Sequence, residues 1–442
     1  MVHYQPPMDW QQWTEWMAAG LHGRCRWRLS VILLGMVFAR GRRTVTTWLR
    51  AVGIRDDFAD YYYFLQPLGR KAKELAERLF LLLLIRLVGS QRVLLGVDDS
   101  PTQRYGPHVQ GAGIHHNPTP GPADQKFLYG HIWVTISLLL RHPLWQTIGL
   151  PLLGLLYVRA KDISKIPQRH GWEFRTKLEL AASAVLRLAN LAKTPGYAVW
   201  AVADGAYAKR AFLKPLRTAT VIVVSRLRKD AALWTVPQAP KNPQRGRPRK
   251  YGKQRIHLAR RAAHPGGWRQ VECVMYGQRT VKTTKSFVAT YRPADGPIRV
   301  VIVKEDQGCE FFFCIDPTAT PREIIEAFAD RAAIEQDFHD VKEVWGAGQQ
   351  QVRNIWTNVA TFNLNLWVHT LVECWAWLKP AEEIRNRDDS PWDDPQRRPS
   401  HADRRQALRR QTLRNEFSSL SPAHRRSSKI RSLYQRLIQL AT

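Results

Sequence analysis

Apolar residues recur along this chain with two different periods. Over residues 1–90 the spacing is helical: Trp10–Leu21, then Arg40–Leu49 with Val45, Trp48 and Leu49 on one side, then Ala72–Val88, nearly free of β-branched residues until its end. From residue 91 short apolar runs take over. Residues 91–97, QRVLLGV, predict a buried central strand that stops at Asp98-Asp99-Ser100-Pro101. Gln103–Gln125 is rich in Gly, Pro and His without any period and predicts a loop. Phe127–Leu140 and Trp145–Val158, joined by Arg141-His142-Pro143, predict a hairpin. Glu173–Leu191 is an amphipathic helix. Tyr197–Ala203 is a second buried strand stopping at Asp204-Gly205, followed by a short helix over Ala206–Leu216 and a strand over Thr220–Ser225.

The pattern changes again near residue 230. A Pro- and Arg-rich linker, KNPQRGRPRKYGKQR, precedes alternating runs at Gln270–Met275, Thr284–Tyr291, Ile298–Val303 and Glu310–Ile315. Thr320-Pro321 with Glu323 marks a helix start. The helix itself is expected over Ala327–Trp345, and a long apolar helix over Val352–Trp377. The remainder is polar and basic, with two short Arg-rich helical segments. The expected organisation is a helical region over 1–90, read either as DNA-binding or as a helical cap on the core, an α/β core over 91–229, a basic linker and β-rich insertion over 230–319, the last part of the core over 320–378, and a basic helical tail over 379–442.

The helix Ala327–Trp345 carries the first chemical signal. At about 100° per residue, Phe328, Arg331, Glu335 and Lys342 fall within a strip of roughly 60°. Ala327, Ile334, Phe338, Val341 and Trp345 form an apolar strip beside it. One carboxylate is thus flanked by two cations at the edge of a buried face. It can help hold a divalent metal, and the cations can hold phosphate oxygens. Alone, the pattern also fits an ordinary Arg331–Glu335 ion pair.

Composition shifts that balance. The 442 residues include 67 Lys and Arg against 37 Asp and Glu, a formal net charge of +30. Such an excess calls for a polyanionic partner, with nucleic acid favoured over an anionic membrane surface. Seventeen tryptophans exclude a disordered polybasic chain. The five cysteines, Cys25, Cys273, Cys309, Cys314 and Cys374, form no CxxC and define neither a disulfide framework nor a thiolate zinc site. His115-His116 has no carboxylate or thiol at ligand spacing, so its loop is expected to lie over DNA. No signal peptide or apolar run of membrane-spanning length is evident, and a soluble, cytoplasmic protein is expected.

Three acids now stand where they could converge: one of Asp98 and Asp99 at the end of a first strand, Asp204 at the end of a second, and Glu335 on a late helix. Clustered carboxylates repel unless cations offset them. Two divalent ions would do so and would also clamp a scissile phosphate; hard oxygen ligands suit Mg²⁺.

These residues resemble a known family. Phe328-x2-Arg331-x3-Glu335-x6-Lys342 is similar to the Tyr-Arg-Glu-Lys signature of DDE transposases from bacterial insertion sequences, with Phe in place of Tyr. Asp99-Ser100 resembles the first-acid motif, Asp204-Gly205-Ala206-Tyr207 the second, and Ser225-Arg226-Leu227-Arg228 the strand-end motif after it. Burial on both faces leaves Asp98 open as the first acid. The resemblance, over about residues 91–378, implies an RNase H-like core with the β-rich insertion between the second and third acids. It implies that Asp99, Asp204 and Glu335 are the catalytic, metal-holding acids with two Mg²⁺, replaceable by Mn²⁺, that Arg331 and Lys342 grip phosphates, and that double-stranded DNA is cut at element ends and joined to a target. It implies a homodimer on DNA, and Trp268 as the candidate to hold a flipped base. A nuclease that does not join strands, or a non-catalytic repressor, are the alternatives. Separately, Arg245-Gly246-Arg247-Pro248 has the core of a minor-groove hook, with a plain basic linker contacting phosphates as the alternative.

Overall fold

A computed structural model describes residues 4–89, 92–116, 126–238, 249–385, 392, 394 and 397–419. Arg245 and Arg247 lie outside these. Five helices come first: α1 (Met8–Ala18), α2 (Trp27–Phe38), α3 (Val45–Ala51), α4 (Phe58–Arg70) and α5 (Ala72–Arg86). The sheet strands β1 (Arg92–Gln103), β2 (Gly113–His116), β3 (Phe127–Arg141) and β4 (Thr147–Tyr157) follow, then α6 (Lys177–Lys193), β5 (Ala198–Ala203), α7 (Arg210–Thr218) and β6 (Ile222–Arg226). The pairings β4-β3-β1-β5-β6, antiparallel on the hairpin side and parallel from β1 onward, make an RNase H-like core.

The segment expected as a β-rich insertion holds β7 (Leu233–Trp234), β8 (Arg255–Ile256), α8 (Leu258–Ala263), β9 (Arg269–Met275), β10 (Gln278–Tyr291), β11 (Gly296–Glu305) and β12 (Gly308–Cys314). It continues the core sheet, because β12 pairs antiparallel with β6 through Phe312–Arg226 to Cys314–Val224. The remaining helices are α9 (Pro321–Asp330), α10 (Ala333–Glu343), α11 (Ile355–Ala376), α12 (Ala381–Ile384) and α13 (His401–Ser419). Thr320 and Glu323 form a reciprocal capping box at the start of α9, with Pro321 in its first turn.

Two apolar cores flank the sheet. Val93, Leu95 and Val97 face one with α5 and α6; Leu94 faces the other with Trp200, Val202, Ile324 and Ile334. The N-terminal helices share the first core with α11, where Gly69 lets α4 approach so closely that a Cβ there would stand 1.9 Å from the Trp356 carbonyl oxygen. Among the described residues no helix is long and apolar enough to cross a membrane.

Three sequence expectations change. The loop expected over Gln103–Gln125 contains β2, which puts His115 and His116 in a strand opposite Leu128 and Phe127 of β3. The strand expected to stop before Asp98 runs on to Gln103, because β3 keeps pairing from Asp98–Thr135 to Gln103–Gly130 while the parallel partner β5 ends opposite Val97. The single helix expected over Ala327–Trp345 is broken. Tight i→i+3 hydrogen bonds, Arg331 N to Phe328 O and Ala332 N to Ala329 O, replace the α pattern between α9 and α10.

Candidate active site

β1 carries its two aspartates where one neighbouring strand has ended and the other has not. Successive side chains on a strand point to opposite faces, so Asp98 and Asp99 part company. Asp99 faces α6: its Oδ2 takes the Lys177 ammonium at 2.6 Å and its Oδ1 the Tyr207 hydroxyl at 3.1 Å. Asp98 faces α10. Its Oδ2 takes a guanidinium N–H from Arg331 at 2.7 Å, and its Oδ1 takes the Asp99 backbone N–H at 2.8 Å.

Asp204 follows β5. The register Gly96–Val202 and Val97–Ala203 carries it to the level of Asp98 on the neighbouring strand. Trp200 and Val202 lie on the face that packs against Ile334, and Asp204, still extended at φ −65° and ψ 161°, continues that alternation. Its carbonyl accepts the buried Ser225 hydroxyl at 3.1 Å, which ties β6 to the turn. Burial pushes the Asp98 carboxyl up to about 6; Arg331 pulls it down, and the Asp99 and Asp204 charges raise it further.

Glu335 stands in the first turn of α10, largely exposed, with Oε1 3.4 Å from the second terminal nitrogen of Arg331. One guanidinium therefore spans Asp98 and Glu335. The helix comes this close because residue 96 is glycine: a Cβ there would stand 2.5 Å from Ile334 Cδ1, one residue before Glu335. Phe328 packs on Phe312 of β12 at 4.7 Å between centroids and lies under the Arg331 guanidinium at 5.4 Å. The expected tyrosine hydroxyl is thus replaced by an aromatic platform. Lys342 lies over the Phe338 ring at 6.0 Å, its ammonium pKa lowered by burial. Trp268 packs partly against the core, with Lys285 Nζ 4.5 Å above its ring.

Of the sequence candidates, the fold gathers Asp98, Asp204, Arg331 and Glu335 on one face. Asp99, favoured in the sequence by the hydroxyl residue after it, lies on the other face with Lys177 and Tyr207. Two sets of residues escaped the sequence reading. Tyr207 stood inside the quoted second-acid motif and could have been found there. Arg141, which holds Glu326 and Asp330 of α9 at 3.1 Å each, had no local signal. The donor set is three carboxylates, two of them with a shared cation and one of these, Asp98, with its pKa raised by partial burial, and it fits divalent metal ions.

A family model described as DDE superfamily endonuclease matches residues 17–290. The chain belongs to this family. Membership implies an enzyme of the nuclease or transposase kind, using divalent metal on a DNA substrate. The match includes Asp98, Asp99 and Asp204 and ends before α9, so Glu335 rests on the geometry above. No curated protein matches the chain.

Proposed function

We propose that this DDE endonuclease is a transposase, cutting DNA at the ends of its own element and joining the freed ends to target DNA. Asp98, Asp204 and Glu335 are the three acids, and Asp99 positions Asp98 through Lys177 and Tyr207. The observation that carries the reading is Arg331 bridging Asp98 and Glu335 beside Asp204. A cation already balances the two acids that a divalent metal would share.

The three carboxylates would hold two Mg²⁺ ions, with Mn²⁺ able to substitute. When bound, such ions activate the attacking oxygen and stabilise the leaving one at the scissile phosphate. The chain's own groups do the rest. Asp98 lies on β1 and Asp204 just past the end of its parallel neighbour β5, so the sheet sets their spacing. Arg331, on its Phe328 platform, has guanidinium donors to offer a phosphate oxygen. Lys342 offers a half-buried ammonium two turns further along α10, where desolvation strengthens its pull on an anion. The excess of basic residues holds the flanking duplex, and two protomers pair two ends.

Incubating the protein with its own flanking DNA and Mg²⁺, then mapping the ends produced, tests this reading. Nicks or breaks at the element boundary followed by joined products support transposition. Cleavage without joining reduces the assignment to a nuclease, and no cleavage in either metal refutes it.

A further inference from the structure

A second cluster of metal-ligating side chains lies one and a half turns along α10 from Glu335, across a cavity of about 570 Å³ lined by Glu335 and Asp330 on one side and Asp340, His369 and His401 on the other. Asp340, His369 and His401 are all buried, and each offers a ligand atom within 4.8 Å of the other two. They come from three separate helices, α10, α11 and α13, so no spacing in the sequence announces them.

The local hydrogen bonds leave Asp340 Oδ2 and one nitrogen of His369 unspent, and commit both nitrogens of His401. Asp340 Oδ1 takes the Gln336 side-chain amide at 2.9 Å and His339 at 3.2 Å, while Oδ2 faces His369 Nε2 at 3.8 Å. That gap is too long for a hydrogen bond. It is close to the separation of about 3.4 Å between two donors bound tetrahedrally to one ion at about 2.1 Å. His369 Nδ1 is buried without any hydrogen-bond partner. His401 stacks on His369 with ring centroids 4.0 Å apart. Its Nδ1 bonds Glu373 Oε1 at 2.5 Å, and Glu373 is anchored in turn by Arg404 at 3.3 Å. A carboxylate on one nitrogen of a histidine is the usual support for a metal on the other. In this structure the other nitrogen, Nε2, accepts the Trp345 indole N–H at 2.7 Å. Between those two bonds the neutral indole's is the weaker, so it is the one an ion would displace.

We propose that Asp340, His369 and His401 form a binding site for a transition-metal ion, Zn²⁺ first, distinct from the acids of the catalytic face. Two imidazoles and one carboxylate favour Zn²⁺ and its neighbours over Mg²⁺. The ion staples α10, which carries Glu335 and Lys342, to α11 and to the C-terminal helix α13. Its entry route is the cavity beside Glu335.

The test uses tag-free full-length protein without DNA, stripped with EDTA, reloaded and passed through gel filtration. Wild type should retain one equivalent of Zn²⁺ per chain and no Mg²⁺, gain thermal stability on loading, and show visible ligand-field bands when Co²⁺ replaces Zn²⁺. Glu335→Gln should retain the same equivalent, which separates this site from the catalytic acids. His369→Ala and Asp340→Asn should lose it, and Trp345→Phe should bind at least as tightly as wild type. Wild type that retains no Zn²⁺ and shows no Co²⁺ bands would overturn the proposal whether or not the variants fold. So would a folded His369→Ala that keeps the full equivalent.

Discussion

Replacing Arg331 by alanine probes the cation shared by two acids. This side chain is 15% exposed and sits 2.7 Å from Asp98, itself 23% exposed, and 3.4 Å from Glu335. Removing one partner of a buried pair costs about 3–5 kcal/mol. Partial exposure of Asp98 discounts this, and so does its pKa of about 6, since the stranded carboxyl can escape by taking a proton. A loss of about 2 kcal/mol remains as the expected order of magnitude. With an unfolding entropy of about 2 cal/mol/K per residue, that corresponds to roughly 2 °C in Tm for a chain of this size. Divalent metal should reverse the sign of the comparison. Where wild type must first release Arg331 from the acids, the variant need not, so Mn²⁺ should raise the Tm of Arg331→Ala by more than that of wild type. Differential scanning fluorimetry with and without Mn²⁺, without DNA, reads both effects. An unchanged metal-free Tm, or a Mn²⁺ gain no larger than wild type's, would refute the placement of Arg331 between metal-binding acids.

Other consequences follow from single residues. Asp98→Asn should abolish cleavage of flanking DNA, while Asp99→Asn should leave measurable cleavage with lower stability; the opposite ranking in a gel assay would return the first-acid role to Asp99. Gly96→Ala forces a methyl toward Ile334 and Leu139 Cδ1, which lie 2.5 and 3.0 Å from a built Cβ; it should cost about 1–3 kcal/mol and reduce cleavage by displacing Glu335, as denaturant melts and rates would show. Burial, reinforced by the Arg104 guanidinium that donates to its Nδ1 at 3.2 Å, holds His131 down at about 3. Its unfolded pKa is near 6.5, so its contribution to stability is intact above that value and falls by about 1.4 kcal/mol per pH unit below it, down to about pH 3. His131→Gln should flatten this acid slope relative to wild type in equilibrium melts, and parallel slopes would contradict the assignment. Binding to duplex DNA should fall steeply with salt, given a net charge of +30, and a flat dependence would remove the role given to the basic surface.

The strands of the core and most helices were legible because burial imposes a period that the residues must obey. Tyr197–Ala203, Glu310–Ile315 and Ala72–Val88 all lie within about two residues of β5, β12 and α5. What could not be read was which strand pairs beyond its own apolar run. β1 continues past Asp98 only because β3 is long enough to accompany it, a fact about residues 130–135 rather than 98–103. The choice between Asp98 and Asp99 could not be read from the sequence for the same reason, since a strand with both faces covered has no polar side to mark its phase. The break after Asp330 was hidden because its sequence, DRAAIE, holds no glycine or proline to mark it, and the tightening shows only in the hydrogen bonds. Arg331 and Glu335 could be singled out because they stand four residues apart in one continuous stretch; Asp340, His369 and His401 could not, because three helices meet to make that cluster.

The claim on which the rest depends is that Asp98, Asp204 and Glu335 are ligands to the metal that cuts DNA. Converting each in turn to cysteine exchanges a hard oxygen for a soft sulfur, and cleavage of flanking DNA can then be measured in Mg²⁺ and in Mn²⁺. The account predicts that each variant is inactive in Mg²⁺ and that Mn²⁺ restores cutting for at least the two half-buried positions, Asp98 and Asp204. A cysteine variant at any of the three that still cuts in Mg²⁺ at the wild-type rate would contradict it.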